Sequence, residues 1–107
     1  MVKLVYCIRR KQSLSRDEFR RYWAEVHGPI GARIPGLRKL VQSHAIPVPG
    51  ADRPSDFDGM AELWFDDDAA LARARQSPEW QASTADEAHF VDPAGCASFV
   101  SEERQIV

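Results

Sequence analysis

The order β-α-β-β-α-β, read along the chain, predicts an α+β fold, and three observations carry it. The segments VKLVYCIRR, LRKLVQSHAI, GMAELWF and CASFVSEERQIV have the apolar runs or two-residue alternation of strands. Helix-spaced stretches with side chains suited to capping follow the first and third of them. The 107 residues hold no internal repeat and no low-complexity tract, so one domain spans 1–107. This is the ferredoxin-like arrangement, with two helices on one face of an antiparallel sheet.

The elements follow in order. The first strand places Leu4, Tyr6 and Ile8 on one face and Val5 and Cys7 on the other. The first helix has a well-marked start. Ser15 is the cap, Glu18 completes a capping box, and Leu14 and Phe19 occupy the staple positions. Phe19, Tyr22, Trp23 and Val26 form its buried stripe, and His27, four residues after Trp23, continues it. Gly28-Pro29 then predicts that the helix stops at or beside His27, because proline disfavours helical geometry in the residue before it. An imidazole at a helix C-terminus is pulled toward its charged form by the dipole and toward its neutral form by burial.

Ile34-Pro35-Gly36 is a turn. The second strand sets Leu40, Gln42, His44 and Ile46 on one face against Val41, Ser43 and Ala45. PVPGADRPSDFD is a loop. The third strand alternates Met60, Glu62 and Trp64 with Ala61, Leu63 and Phe65. Asp66-Asp67-Asp68 caps the next helix, Ser77-Pro78 starts another carrying Trp80, and Thr84 with Glu87 suggests a further capped turn through His89. Both cysteines, Cys7 and Cys96, fall in apparent strands and form no CxxC, so they read as free thiols.

Strands one and three are apolar on both faces, and two helices cover only one. A second copy packed sheet to sheet is the simplest cover, which predicts a homodimer. The net charge is −2, with eleven Lys/Arg against four Asp/Glu in 1–53 and three against twelve in 54–107. That balance argues against nucleic acid as partner, and the aromatic RNP pattern is missing. No apolar run approaches a membrane span, and the N-terminus is unlike a signal peptide, so the expected location is the cytoplasm.

The residues with chemistry are few. His27 reads either as a proton-transfer group or as a cap bonding the last carbonyls. His44 reads equally as a site residue or a satisfied strand histidine. If Gln42 and His44 share the helix-facing side, they supply hydrogen-bonding groups to an otherwise apolar cavity. Glu62, central in an apolar strand, must be paired, exposed or raised in pKa. Tyr6 and Tyr22 offer phenols to an enolate or simply pack in the core. No HxH or HExxH supports a metal site, no motif indicates haem, and no arrangement activates Ser or Cys as a nucleophile. The expectation is no cofactor and no metal.

The strand KLVY, the helix LSRDEFRRYWAEVHGP, then IPGLRKLVQSH, DGMAELWF and ADEAHFVD together resemble the EthD-like family of the dimeric α+β barrel superfamily. The most specific part is the FxRYWxxxHxP element. The resemblance implies a dimeric α+β barrel with a pocket between sheet and helices. It also implies small cofactor-independent enzymes: lactone isomerases, and decarboxylases, dehydratases or cyclases acting on aromatic or polyketide-like compounds. It makes His27 the acid or base and His44 the second polar group, with Tyr22, Trp23, Glu62 and Trp64 at corresponding family positions; Tyr6 and Gln42 join them as substrate-binding candidates from their own chemistry and strand position. The alternative is a binding protein of a degradation or biosynthetic cluster that holds a hydrophobic or aromatic molecule without transforming it.

Overall fold

The computed structural model describes all residues, Met1–Val107. Four strands, β1 (Val2–Ile8), β2 (Lys39–His44), β3 (Gly59–Phe65) and β4 (Ala97–Ser101), form one antiparallel sheet in the order β2-β3-β1-β4. Helices α1 (Arg16–Tyr22), α2 (Gly28–Gly31), α3 (Asp68–Arg75) and α4 (Pro78–Asp86) complete the ferredoxin-like fold. No helix is long and apolar enough to cross a membrane.

Register fixes what lies beneath the helices. Gln42, Ala61, Tyr6 and Ser98 form one row across the four strands. Leu40, Leu63, Leu4 and Val100 form the next row. The core above these rows centres on Phe19, Trp23, Phe65, Phe90 and Ile8, all fully buried. Both halves of the capping box at Ser15 and Glu18 are present, at 3.1 and 3.0 Å, so two helix-start amides find partners locally. Asp67 and Ser77 cap α3 and α4 singly, accepting from the Ala70 and Trp80 amides.

The helix carrying His27 does not stop there. After Tyr22 the chain makes a π turn, Trp23–His27, and continues as α2 to Gly31. Two features let it pass the proline. Gly28 has no Cβ to meet the proline ring and keeps helical angles, φ −51° and ψ −52°. The wider turn relocates the hydrogen bonds, so that the Gly28 amide reaches back five residues to the Trp23 carbonyl. It also shifts the phase of the buried stripe: Val26, expected inside, is 43% exposed, while His27 follows Trp23 inward. His27 is therefore mid-helix, and the expected balance between dipole and burial does not arise at that position.

Two smaller expectations also change. Thr84 begins no new turn, since α4 runs unbroken to Asp86 and then tightens into a 3₁₀ turn, Glu87–His89. Cys96 lies just before β4, its thiol directed at the Asp92 carbonyl, and both cysteines are free.

On the opposite face of the sheet no helix packs. Val5 and Trp64 are nonetheless buried, and Phe99 is 60% exposed. Lys3 and Glu62 cross this apolar surface as an ion pair at 2.7 Å. Glu62 is thus paired, one of the outcomes its strand position allowed.

Candidate functional site

The π turn and the end of α4 together position the site. His27 Nδ1 lies 2.9 Å from Asp86 Oδ2, with the two side chains only 15% and 10% exposed. Asp86 is also the acceptor for the Tyr22 hydroxyl, at 2.6 Å on its other oxygen. That bond, with burial, pushes the Tyr22 phenol up to about 12, so it remains a donor. A carboxylate facing Nδ1 selects the tautomer protonated there, leaving the Nε2 lone pair with no protein partner. Phe90 packs against the ring, centroid to centroid 4.6 Å, and fixes its plane.

His27 forms part of the wall of a cavity of about 180 Å³ between helices and sheet. The hollow lies over Ala61, whose small side chain leaves the middle of the floor empty, with Gln42 and Tyr6 on the flanking strands. Gly28 and Gly31 line it from the helix side, and a Cβ added at either would meet Gln42 or Leu40 only at ordinary van der Waals distance. Leu4, Leu63, Ile34 and Trp80 make the walls mostly apolar, and Arg75 lies at the α3 side. Polar groups are few and placed, the composition of a small-molecule pocket.

The sequence-derived site residues are distributed unevenly. His27, Tyr6, Trp23 and Gln42 all line the cavity. Tyr22 stands behind His27 and touches it through Asp86. His44 shares the helix-facing side with Gln42 but does not line the cavity. Its ring packs on Trp23 at 4.4 Å, and its Nε2 bonds the Gln42 side-chain oxygen at 3.0 Å. Burial and the Arg20 charge hold the His44 pKa below the usual histidine value, so its neutral form is favoured. Gln42 in turn donates to the Trp23 carbonyl at 2.8 Å, the same carbonyl that the π turn offers to Gly28. His44 thus orients a cavity residue from outside. Glu62 and Trp64 are on the other face of the sheet, Glu62 with Lys3 and Trp64 with Glu103, and neither reaches the cavity.

Two residues that the sequence reading did not place at the site matter here, Asp86 and Glu87, the second read there only as part of a capped turn. Glu87 lines the cavity and accepts the Tyr6 hydroxyl at 2.7 Å. A signal existed. Consecutive acids at the end of a helix oppose its dipole, so they are stabilised by specific partners, and each of these has a tyrosine. No group of three or more His, Cys, Asp or Glu side chains is assembled anywhere to hold a metal ion.

The class these observations define is a ferredoxin-like α+β domain, here with a histidine–aspartate pair at the wall of a mostly apolar hollow. Residues 11–94 match the model of the EthD domain, and the chain belongs to the EthD family. It is similar to a crystal structure of an ethyl tert-butyl ether D (EthD) family protein from Bacillus halodurans. The two are 27% identical over 97% of this chain and 99% of that one, with a TM-score of 0.82. A dimeric ferredoxin-like protein of unknown function from Bacteroides fragilis shares 16% identity over 95% of each chain, TM-score 0.68. SnoaB from Streptomyces nogalater, a cofactor-independent oxygenase crystallised as a point mutant, shares 18% over 99% of this chain and 95% of that one, TM-score 0.66. No curated protein sequence matches.

Proposed function

We propose that this chain is a small cofactor-independent enzyme that moves a proton on a single-ring aromatic, polyketide-type or lactone substrate. The observation that carries the reading is the His27–Asp86 pair, with one imidazole nitrogen held and the other free at the wall of an apolar cavity. His27 Nε2 takes a proton from a carbon beside a carbonyl, and the electron pair moves onto the carbonyl oxygen as an enolate. Asp86 keeps the ring in the right tautomer and lies where positive charge develops. Return of the proton to a different carbon gives isomerisation. Departure of a β-hydroxyl with that proton gives loss of water, and the same enolate chemistry run from a carboxylate gives decarboxylation.

Size supports a small substrate. A cavity of roughly 150 Å³ accommodates benzene, and this one is about 180 Å³. A fused polycycle would have to extend beyond the hollow. The open face of the sheet supports a homodimer, as does the dimeric description of the Bacteroides fragilis protein.

Turnover tests the proposal. His27→Ala should lose roughly 10²–10⁴-fold in kcat, the usual contribution of a positioned acid or base. Asp86→Asn should also lose activity, because an amide can hold the wrong tautomer. Unchanged turnover in a folded His27→Ala protein would overturn the reading and favour a protein that binds the ring without transforming it.

A further inference from the structure

The cavity contains a second hydrogen-bonded pair that the proton transfer above does not use. Tyr6 rises from the central strand β1, in the same row as Ala61, and its hydroxyl donates to Glu87 Oε1 at 2.7 Å. Both residues line the hollow. Burial, reinforced by the carboxylate, holds the Tyr6 phenol well above its ordinary pKa, so it stays protonated and keeps donating. Glu87 Oε1 is thereby occupied. Its Oε2 makes no hydrogen bond within the protein and is not sealed away as an orphaned buried atom. A carboxylate presents only acceptors. What Oε2 can take from a ligand is a hydrogen-bond donor.

We propose that Glu87, fixed by Tyr6, reads a hydroxyl on the substrate ring, making the substrate class a phenol or a ring enol. This rests on the cavity being the site of the proposed proton transfer, and it adds a specificity residue to it. Tyr6 acts through Glu87 as a positioning residue. With the hydroxyl held at Oε2, the ring occupies the hollow that His27 and Ala61 also line.

The competing chemistry in the same cavity is Arg75, which stacks on Trp80 at 5.8 Å and makes no ion pair. A ligand chosen by Arg75 would be an anion such as a carboxylate, with no need of a donor. The two readings therefore call for different probes.

The experiment is a binding titration of the full chain, followed by NMR, with phenol, anisole, toluene and benzoate. Phenol should bind at least tenfold more tightly than anisole or toluene, which match its ring but lack the O–H, because hydrogen bonds to charged groups are the stronger kind. Glu87→Gln, which keeps an acceptor but removes its charge, should cut phenol affinity several-fold and leave toluene unchanged. Tyr6→Phe combined with Glu87→Leu removes both partners together and should bring phenol down to toluene. Ala61→Leu, which fills the hollow, should abolish binding of all these probes. Equal binding of phenol and anisole, no saturable phenol binding at millimolar concentration, or phenol binding that survives Ala61→Leu would each overturn the proposal. So would benzoate binding more tightly than phenol and weakening in Arg75→Gln. His27→Ala should keep the phenol preference, which separates the two ideas. A lost preference with His27-dependent turnover sinks only the hydroxyl reading, and a kept preference with His27-independent turnover sinks only the proton transfer.

Discussion

The two faces of the sheet come from the same strands, residue by alternate residue, and they solve burial in different ways. The helix-covered face is packed to completion at one point and left hollow at another. At Gly59 the Trp23 ring occupies the place of a side chain, so closely that an added Cβ would come within 2.4 Å of it. Two residues on, at Ala61, nothing fills the space and the cavity opens. The open face has no such contrast. Its apolar side chains lie beside the Lys3–Glu62 pair, whose charges have nearly matched exposure, 16% each. The difference teaches that the covered face combines tight packing with a void, which reaches from the Gln42–Ala61–Tyr6–Ser98 row to Leu40, Leu63 and Leu4 of the next. A chain that can seat a tryptophan against Gly59 has the means to close the gap over Ala61.

The largest effect should come from the open face. If a second copy covers it, Phe99→Glu places an unpaired charge in that interface, where the cost is several kcal/mol. The dimer dissociation constant should weaken 100-fold or more, since each tenfold corresponds to about 1.4 kcal/mol. Sedimentation at micromolar concentration should then give the monomer mass. A wild-type protein already monomeric under those conditions would remove the dimer from the picture.

On the covered face, Gly59→Ala must push Trp23 and the Ser43 carbonyl aside, and overpacking of this kind costs about 1–3 kcal/mol. Urea denaturation should show the midpoint falling without a change in slope. Ala61→Leu is its counterpart, a larger residue on the same strand and the same face. Because it enters a hollow, it should be neutral or stabilising by up to about 2 kcal/mol while ring binding is lost. If the two substitutions destabilise alike, the distinction between the packed position and the hollow one is wrong.

Much of this was legible from residue order. The caps at Ser15, Asp67 and Ser77 and the alternation in β1 and β3 are local properties, so they gave the elements and the doubly apolar sheet. His27 was legible as well, being four residues from Trp23, although the expected reason for its placement was mistaken. The Gly28-Pro29 stop reads as a helix end only if the turn before it is α-helical. A π turn is a tertiary choice, made here where Gln42 from β2 shares the opened Trp23 carbonyl. Asp86 was hidden for another reason. It is 59 residues from His27 in sequence, and no periodicity connects a helix end to a side chain that distant. Glu62 and Trp64 were grouped with the site through the family resemblance, and period two could not correct this, because it tells which residues share a face but not which face the helices cover.

The smallest effect concerns His44, which separates a histidine that works from outside the cavity from one that lines it. Burial and the Arg20 charge lower its folded pKa, so the unfolded chain binds a proton where the folded chain does not. More protons on the unfolded state means stability that rises with pH. The contribution is complete above the ordinary histidine value of about 6.5 and is lost as pH falls through the lower folded value. Glu18, Asp66 and Glu103 are held below their usual carboxylate values, Glu18 by the Ser15 amide, Asp66 by Arg38 and Glu103 by Trp64. They act in the same direction, but only at more acidic pH, in the carboxylate range. His44→Gln keeps a hydrogen-bonding side chain beside Gln42 and removes the titration. Urea midpoints between pH 7.5 and 5.5 should therefore fall more steeply for the wild type than for the variant. Parallel slopes would mean that His44 is as free to charge in the folded chain as in the unfolded one, and its neutral packing against Trp23 would lose its basis.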